Sequence, residues 1–241
     1  KNILKGKKPF KLVIAGDAAW KKIDGKQGDW NKYEKAICSF PKRDDDNNIT
    51  SWDFDQQRYD LLKNAGGYLA HTYKDKKYAK AIVLVDSDGA LDGKIEGGSG
   101  KSIFLDSVKH LRHQLYLDGP KISGDGASKF IFMRCNKDHS IIFCDDVLDT
   151  FRFQGLFSAI TTDFVAEGKG TNEIAWSFTD SPKFSICTNY ALNGEGESFD
   201  RRQFCFEVSS FFTAKETNGD KLNPISDFFN NNTMMSADWN D

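Results

Sequence analysis

The 241-residue sequence lacks several features that would place it in particular classes of protein. It contains no run of about 18 apolar residues, so we expect no transmembrane helix and no membrane partner. Its first residues, KNILKGKKPF, show no apolar core behind a charged head, so we expect no signal peptide. The sequence begins with Lys1 rather than Met, which suggests an excised domain or a processed product. With 39% hydrophobic residues, the composition is that of a folded globular protein.

Cysteine and histidine are few, and neither has a metal-binding spacing. The odd set of five cysteines contains no C-x-x-C pair and comprises Cys38, Cys135, Cys144, Cys187 and Cys205. Four of them lie in apolar runs, so we expect buried, reduced thiols rather than disulfides or a zinc site. His110 and His113 are three residues apart with no third ligand nearby, and we expect them to pack on a helix surface. Reduced thiols are typical of a cytoplasmic protein, which is the location we expect.

A strong overall charge is also missing, because the net charge is only −2. This balance argues against a surface that is positive everywhere. It hides an asymmetry, since residues 1–43 carry 12 Lys and Arg against 4 Asp and Glu. Such a basic segment can bind phosphates, or it can be a solvated face or a linker to a neighbouring domain. The sequence leaves these alternatives open.

Strand-like and helical patterns alternate along most of the chain. Continuous apolar runs, typical of strands buried on both faces, occupy residues 79–86, 128–135, 140–146, 183–189 and 201–208. Helical spacing occupies residues 102–117 and 148–160. This alternation predicts an α/β fold with a central, mainly parallel sheet flanked by helices.

Composition suggests three regions. The polar segment PKRDDDNNIT at 41–50 is the best candidate for a boundary. A helical pattern follows it and is expected to end, or to be interrupted, near Gly66 and Gly67. We therefore predict a basic, helical or irregular N-terminal region of unknown role at 1–50, a main domain at 51–215 with a helical lead-in at 51–78 and a core at 79–210, and a C-terminal tail at 216–241 that begins a further element.

A glycine-rich segment, KIEGGSGKSIFLDSV at 94–108, lies between the first strand of the core and a helix. It nearly matches G-x-x-x-x-G-K-[ST], in which backbone N–H groups hold phosphates, the Lys contacts the outer phosphates and the hydroxyl binds Mg²⁺. Lys101 and Ser102 fit this pattern, but Ile95 replaces its first glycine. The residues expected to hold the phosphates are Gly97, Gly98, Ser99, Gly100, Lys101 and Ser102.

Polar residues follow two later apolar runs. SIIFCDD places Asp145 and Asp146 at the end of a strand, where one acid can bind Mg²⁺ and the other can orient an attacking water. KFSICTN ends in Asn189, which should reach the same edge because ligands bind outside the carboxyl ends of parallel strands. There it can hydrogen-bond a γ-phosphate and the attacking water. The alternatives are that paired acids merely end a strand or cap a helix, and that Asn begins a turn.

Two arginines, Arg201 and Arg202, begin the last strand-like run. A guanidinium stabilises charge on phosphate oxygens and often comes from a neighbouring subunit. The alternative is a surface salt bridge to the acids just before them. Side chains alternate along a strand, so the sequence does not choose between the two arginines. Together, the glycine-rich segment, the acids, Asn189 and these arginines predict a nucleotide hydrolase.

The order EGGSGKS, IIFCDD, ICTN and RR, between residues 96 and 202, resembles the superfamily 3 helicases, a viral and plasmid branch of the AAA+ ATPases. The sequence looks most like the poxvirus- and phage-type primase–helicases, over roughly residues 52–215. In that family these segments are Walker A, Walker B, motif C and an arginine. Ile95 and the ten residues SDGALDGKIE before the loop depart from the family pattern.

The resemblance implies an AAA+-like P-loop NTPase with ATP and Mg²⁺ as cofactors, bound between the subunits of a hexamer. Ser102 and Asp145 would hold Mg²⁺, while Asp146 would polarise water and Asn189 would sense the γ-phosphate. Lys101 and one of the arginines would stabilise the phosphates.

The resemblance also implies a partner and a biological role. Residues 160–178 match a family segment whose hairpin grips single-stranded DNA, and Lys169 matches the gripping residue, although a solvated hairpin tip is the alternative. The implied function is an ATP-dependent ring helicase in viral, phage or mobile-element replication, with a fused or associated primase or polymerase domain and a location in the host cytoplasm. The residues also allow an AAA+ motor for genome packaging or remodelling, or a non-hydrolysing nucleotide-binding DNA scaffold.

Overall fold

The computed structural model describes residues 28–87, 97–123, 131–167, 173–215, 219 and 221–229. In these residues the strands are β1 (Ser39–Arg43), β2 (Ile49–Phe54), β3 (Ala81–Asp86), β4 (Gln114–Asp118), β5 (Ile141–Val147), β6 (Phe164–Ala166), β7 (Ile174–Trp176), β8 (Lys183–Thr188) and β9 (Gln203–Val208). The α-helices are α1 (Asp29–Ala36), α2 (Gln56–Ala70), α3 (Lys101–Ser107), α4 (Gly119–Ile122), α5 (Phe157–Thr161), α6 (Glu197–Asp200) and α7 (Ile225–Phe228). Short 3₁₀ helices occupy Val108–His110, Phe153–Leu156 and Ser210–Phe212.

Five strands form one parallel sheet in the order β4-β5-β8-β3-β9. This architecture confirms the predicted α/β fold with a central parallel sheet. β8 lies between β3 and β5, so the strand before the glycine-rich segment and the strand that carries the two acids are not neighbours. Two antiparallel hairpins, β1–β2 and β6–β7, lie outside the sheet.

Both faces of the sheet are covered, which explains the continuous apolar runs of its strands. Along β3, Ile82 and Leu84 belong to a core shared with α1, α2 and α3, while Ala81 and Val83 belong to a core on the other face. The second core includes α5 and the β6–β7 hairpin. Alternating side chains of one strand therefore pack into two separate layers.

Three of the predicted elements are wrong in extent or type. α3 ends at Ser107, and residues 114–118 form β4 instead of continuing the predicted helix over 102–117. Period-two burial explains the difference, because Leu115 and Leu117 are buried while Tyr116 between them is exposed. Residues 131–134 of the predicted strand 128–135 form a turn, and 128–130 lie outside the described residues. The predicted helix over 148–160 is reduced to a 3₁₀ turn and the short α5.

α2 runs without a break through Gly66 and Gly67, so the predicted interruption there is wrong. A Cβ at Gly66 would lie 3.2 Å from the Phe104 ring, so the helix packs closely against this ring at the glycine. The segment 41–50 forms much of the β1–β2 hairpin, and the division between residues 50 and 51 falls inside β2. The domain division remains a prediction. No helix within the described residues is long and apolar enough to cross a membrane.

Candidate functional site

A cavity of about 350 Å³ lies at the carboxyl edge of the parallel sheet. It is lined by residues 97–103 together with Asp145, Asp146, Cys187, Asn189 and Ile225. All six residues predicted to hold phosphates line this cavity, as do both predicted acids and the predicted asparagine. The structure thus brings together side chains that are far apart in the sequence, although their roles remain predictions.

The loop at the cavity depends on two glycines with positive φ. Gly98 has φ of 106° and Gly100 has φ of 100°, a region that side chains with a Cβ rarely adopt. Gly100 immediately precedes α3, and its carbonyl accepts a 2.7 Å hydrogen bond from the hydroxyl of Tyr33. A Cβ at Gly100 would lie 3.0 Å from the Tyr33 ring. α1 therefore packs its fully buried tyrosine directly against the end of the loop.

Lys101 is held by three oxygen atoms. Its ammonium group lies 2.5 Å from Oδ2 of Asp86, at the end of β3, and 2.8 Å from Oδ1 of Asn189. A weaker contact of 3.3 Å joins it to Oγ of Ser99. The side chains of Lys101 and Asp86 are only 6% and 12% exposed, so this ion pair is shielded from water. The predicted phosphate-binding lysine is thus fixed at the cavity wall with a carboxylate as its partner.

Ser102 and Asp145 form a second polar pair in the cavity. The serine Oγ donates a 2.7 Å hydrogen bond to Oδ1 of Asp145. The thiol of Cys187 donates to the same oxygen at 2.8 Å, and the Tyr116 hydroxyl donates to the other carboxylate oxygen at 3.0 Å. Burial, together with the hydrogen bond to Asp145, raises the pKa of Cys187 to about 12 and that of Tyr116 to about 12. Both groups are therefore protonated at neutral pH and can donate to this carboxylate.

Asp146 faces the cavity because of an irregularity in β5. Neighbouring residues of a strand normally point to opposite faces, yet Asp145 and Asp146 both line the cavity. Asp146 has φ of 55°, and the register between β5 and β8 shifts between Cys144 and Val147. Such bulges change the direction of a side chain and are common beside functional sites.

Asn189 joins the two halves of the cavity. It follows β8, the strand between β3 and β5, and therefore lies between Lys101 and the acids. Its Oδ1 accepts from Lys101, while its Nδ2 donates to Oδ1 of Asp146 at 3.1 Å. An amide suits this position because it offers one acceptor and two donors at once.

Arg201 and Arg202 lie at the opposite edge of the sheet. They precede β9, which runs parallel to β3, so they are beside the amino ends of the strands. Arg202 donates to the Ser198 carbonyl at 2.8 Å, and its guanidinium lies 4.7 Å from the centre of the Phe157 ring. Within one chain these arginines are separated from the cavity by the length of a strand, roughly 20 Å. Lys169 and Ile95 lie outside the described residues.

Sequence reasoning missed four residues that contact the predicted site: Asp86, Tyr116, Cys187 and Tyr33. Cys187 precedes Asn189 by two positions in β8, so the period of two places them on the same face. Asp86 is the first acid after an apolar strand, the same signal that identified Asp145. For Tyr33 and Tyr116, the sequence offers no comparable signal.

The oxygen ligands present fit a magnesium ion that is bound together with a nucleotide. Mg²⁺ usually takes one or two protein oxygens and completes its shell with phosphates and water. Ser102 and Asp145 present such oxygens 2.7 Å apart at the cavity wall. No group of three or more His, Cys, Asp or Glu in the described part of the chain is placed to hold a metal. The cavity therefore suits a metal that comes with the nucleotide better than one held by protein ligands alone.

Comparisons with known proteins identify no family and find only distant structural likeness. No family model matches the sequence, and no curated protein matches it. One solved structure of the C-terminal region of NrS-1, in an A-form apo state, has 16% identity and a TM-score of 0.43, and the match covers 76% of this chain and 42% of that chain. A second structure of that region has 16% identity and a TM-score of 0.39, with 85% and 52% covered. This chain thus spans about half the length of those structures, and likeness at such scores supports no argument about the site.

Proposed function

We propose that this chain is the ATP-hydrolysing core of a ring-forming motor that moves along single-stranded DNA, as the superfamily 3 resemblance implies. The observation that carries the proposal is the single cavity around which Lys101, Ser102, Asp145, Asp146 and Asn189 meet. These residues come from a glycine-rich loop and from the ends of two parallel strands. A phosphate-binding lysine, a hydroxyl, two acids and an amide are the groups that phosphoryl transfer requires for positioning and charge neutralisation.

Each residue has a role that follows from its contacts. Lys101 would transfer from Asp86 and Asn189 to the outer phosphate oxygens, with the backbone N–H groups of residues 97–102 around the phosphates. Ser102 and Asp145 would hold Mg²⁺, which when bound neutralises charge on those phosphates. Asp146, which accepts a hydrogen bond from the amide of Asn189, would orient the attacking water. The same amide would respond to the γ-phosphate.

The positions of Arg201 and Arg202 support a site shared between subunits. Because they lie at the far edge of their own sheet, they would complete the cavity of a neighbouring copy. A complementation test follows from this geometry. Lys101→Ala lacks the phosphate lysine, and the double variant Arg201→Ala/Arg202→Ala lacks the arginines, so each alone should lose ATP hydrolysis. In a mixture, a Lys101→Ala subunit supplies its arginines to an intact cavity, and turnover should partly recover.

The proposal is tested by steady-state ATP hydrolysis as a function of protein concentration, with and without oligothymidylate. A shared site predicts turnover per subunit that rises with protein concentration, and a DNA motor predicts further stimulation by the oligonucleotide. Lys169→Ala should keep basal hydrolysis and lose that stimulation. Assembly with bound nucleotide but no turnover would contradict the proposal and favour the scaffold alternative. Strand displacement on a forked duplex would separate a helicase from a packaging motor.

A further inference from the structure

A second cavity, of about 460 Å³, lies at the amino edge of the sheet, opposite the glycine-rich loop. β4, β5 and β8 all begin beside it. Its lining includes three basic side chains, two imidazoles and two carboxylates: Arg112, Lys137, Lys183, His113, His139, Asp138 and Asp180. Both carboxylates belong to exposed residues, whereas Lys183 is buried.

Two buried lysines make this edge positive. Lys183 and Lys74 are 3% and 7% exposed, and neither has a carboxylate partner within the described residues. The Lys183 ammonium group donates to the carbonyls of Tyr68 and His71 at 2.5 and 2.6 Å, and Lys74 donates to Ser181 Oγ at 2.5 Å. Burial, with repulsion from Lys74 and then from Arg112, lowers the pKa of Lys183 to about 7. These cations repel one another, and an anion placed between them would relieve that repulsion.

Two exposed lysines and one half-exposed tyrosine lie near the cavity. Lys137 lies with its ammonium group 4.6 Å from the centre of the Trp176 ring, and Lys76 lies 5.5 Å from that of Phe178. Both lysines are exposed. Tyr73 is 50% exposed, and it directly follows Thr72, which lines the cavity. Unpaired bases stack on exposed aromatic rings that lie beside a positively charged groove.

We propose that this edge binds the backbone of a single-stranded nucleic acid, with Lys76, Lys137 and Arg112 on phosphates and Tyr73 stacked on a base. The spread of the cations favours a chain over a single phosphate. Arg112 precedes β4 and Lys183 begins β8, two strand spacings away, which is roughly 10 Å. Contacts of this kind read no sequence. The site is separate from the nucleotide cavity, so it does not depend on ATP hydrolysis.

The test is fluorescence anisotropy with a labelled oligothymidylate in the absence of nucleotide, over a range of salt concentrations. Lys76→Ala/Lys137→Ala should weaken binding about 10-fold and reduce the salt slope by about 1.4, because two contacts to single-strand phosphates are lost. Tyr73→Ala should weaken binding with no change in that slope. The matched control, Lys42→Ala/Lys63→Ala, removes the same charge from exposed lysines on β1 and α2.

Several results of these binding measurements would contradict the proposed nucleic-acid site. Affinity in Lys76→Ala/Lys137→Ala equal to that of the control would overturn the proposal, as would a wild-type protein that does not bind the oligonucleotide. Binding of inorganic phosphate that depends on the two lysines, without any oligonucleotide binding, would also overturn it. Binding of a duplex of the same length as tightly as the single strand would overturn the stacking on Tyr73. Since no nucleotide is present, a wild-type protein that fails to hydrolyse ATP contradicts the motor and leaves this result intact.

Discussion

Lys101 and Asp86 form a shielded ion pair at 2.5 Å on the wall of the candidate nucleotide cavity. The acid ends the strand before the glycine-rich segment, and the lysine begins the helix after it. The cation expected to bind phosphates is therefore neutralised by the protein itself when no nucleotide is bound. In the proposed function, a nucleotide would compete with this pair for Lys101.

Asp86→Asn tests that competition. The variant leaves a buried ammonium without its carboxylate partner, so the free energy of unfolding without nucleotide should fall by about 3 kcal/mol. Removing the competing charge should also strengthen nucleotide binding. Thermal unfolding with and without Mg²⁺ and ADP should therefore show a lower melting temperature but a larger nucleotide-induced rise than in the wild type. An equal or smaller rise would contradict the competition.

Tyr33→Phe tests how the loop is supported. The ring packing against Phe212 and Phe229 would remain, while the hydrogen bond to the Gly100 carbonyl would be lost, at a cost of about 1 kcal/mol. We expect a roughly fivefold weaker ADP affinity by calorimetry, because 1 kcal/mol corresponds to about this factor. The matched control is Tyr59→Phe, since its hydroxyl is bonded to Asn31 away from the cavity. The same affinity in both variants would show that the hydroxyl does not position the loop.

Gly119→Ala tests the placement of the acids. A Cβ at Gly119 would lie 2.3 Å from the Asp145 carbonyl oxygen and 2.4 Å from the carbonyl carbon of Asp146, so the β5 backbone must move. Overpacking of this kind costs about 1–3 kcal/mol. Urea unfolding should show this decrease in the free energy of unfolding, and ATP turnover should fall more than tenfold. Gly155→Ala, where a Cβ meets nothing within 4 Å, is the control. Full turnover in Gly119→Ala would show that the acids tolerate displacement.

The depressed pKa of Lys183 predicts a pH dependence of stability. Its pKa falls from an ordinary 10.5 to about 7 on folding, because the side chain is buried and is repelled by the charges of Lys74 and then Arg112. Between these values the unfolded chain binds the extra proton, so stability should rise as pH increases above about 7. We expect a gain of about 1–3 kcal/mol between pH 7 and 9.5.

The gain is measured by urea unfolding at several pH values. Lys183→Met should reduce the gain, whereas the exposed Lys63→Met should leave it unchanged. The lowered pKa would be contradicted if the stability of the wild type rose no more over this pH range than the stability of Lys183→Met.

The sequence predicted the sheet because four of its five strands are continuous apolar runs. β4 was not predicted because Leu111, Leu115 and the residues between them also fit helical spacing. Only the alternation of burial over Leu115 and Leu117 reveals the strand. Asp145, Asp146 and Asn189 were identified by their positions after apolar runs, which parallel strands bring to one edge. Lys101 and Ser102 were identified by the glycine-rich motif.

What the sequence could not predict are the contacts between distant segments. Tyr33 and Gly100 are 67 positions apart, and no local pattern links them. The left-handed conformation of Asp146 results from a bulge in β5 beside β8, a property of strand pairing that neither strand encodes alone. The basic amino edge likewise combines residues that precede four different strands.

The most direct test of the account is steady-state hydrolysis of Mg²⁺-ATP by the wild type, by Lys101→Ala and by Lys109→Ala, over a range of protein concentrations. Lys109 is an exposed lysine on the turn that follows α3, so its variant controls for the loss of one positive charge. The account predicts turnover in the wild type and in Lys109→Ala, and none in Lys101→Ala. Turnover in a folded Lys101→Ala protein equal to that of the wild type would show that this cavity is not the site of hydrolysis.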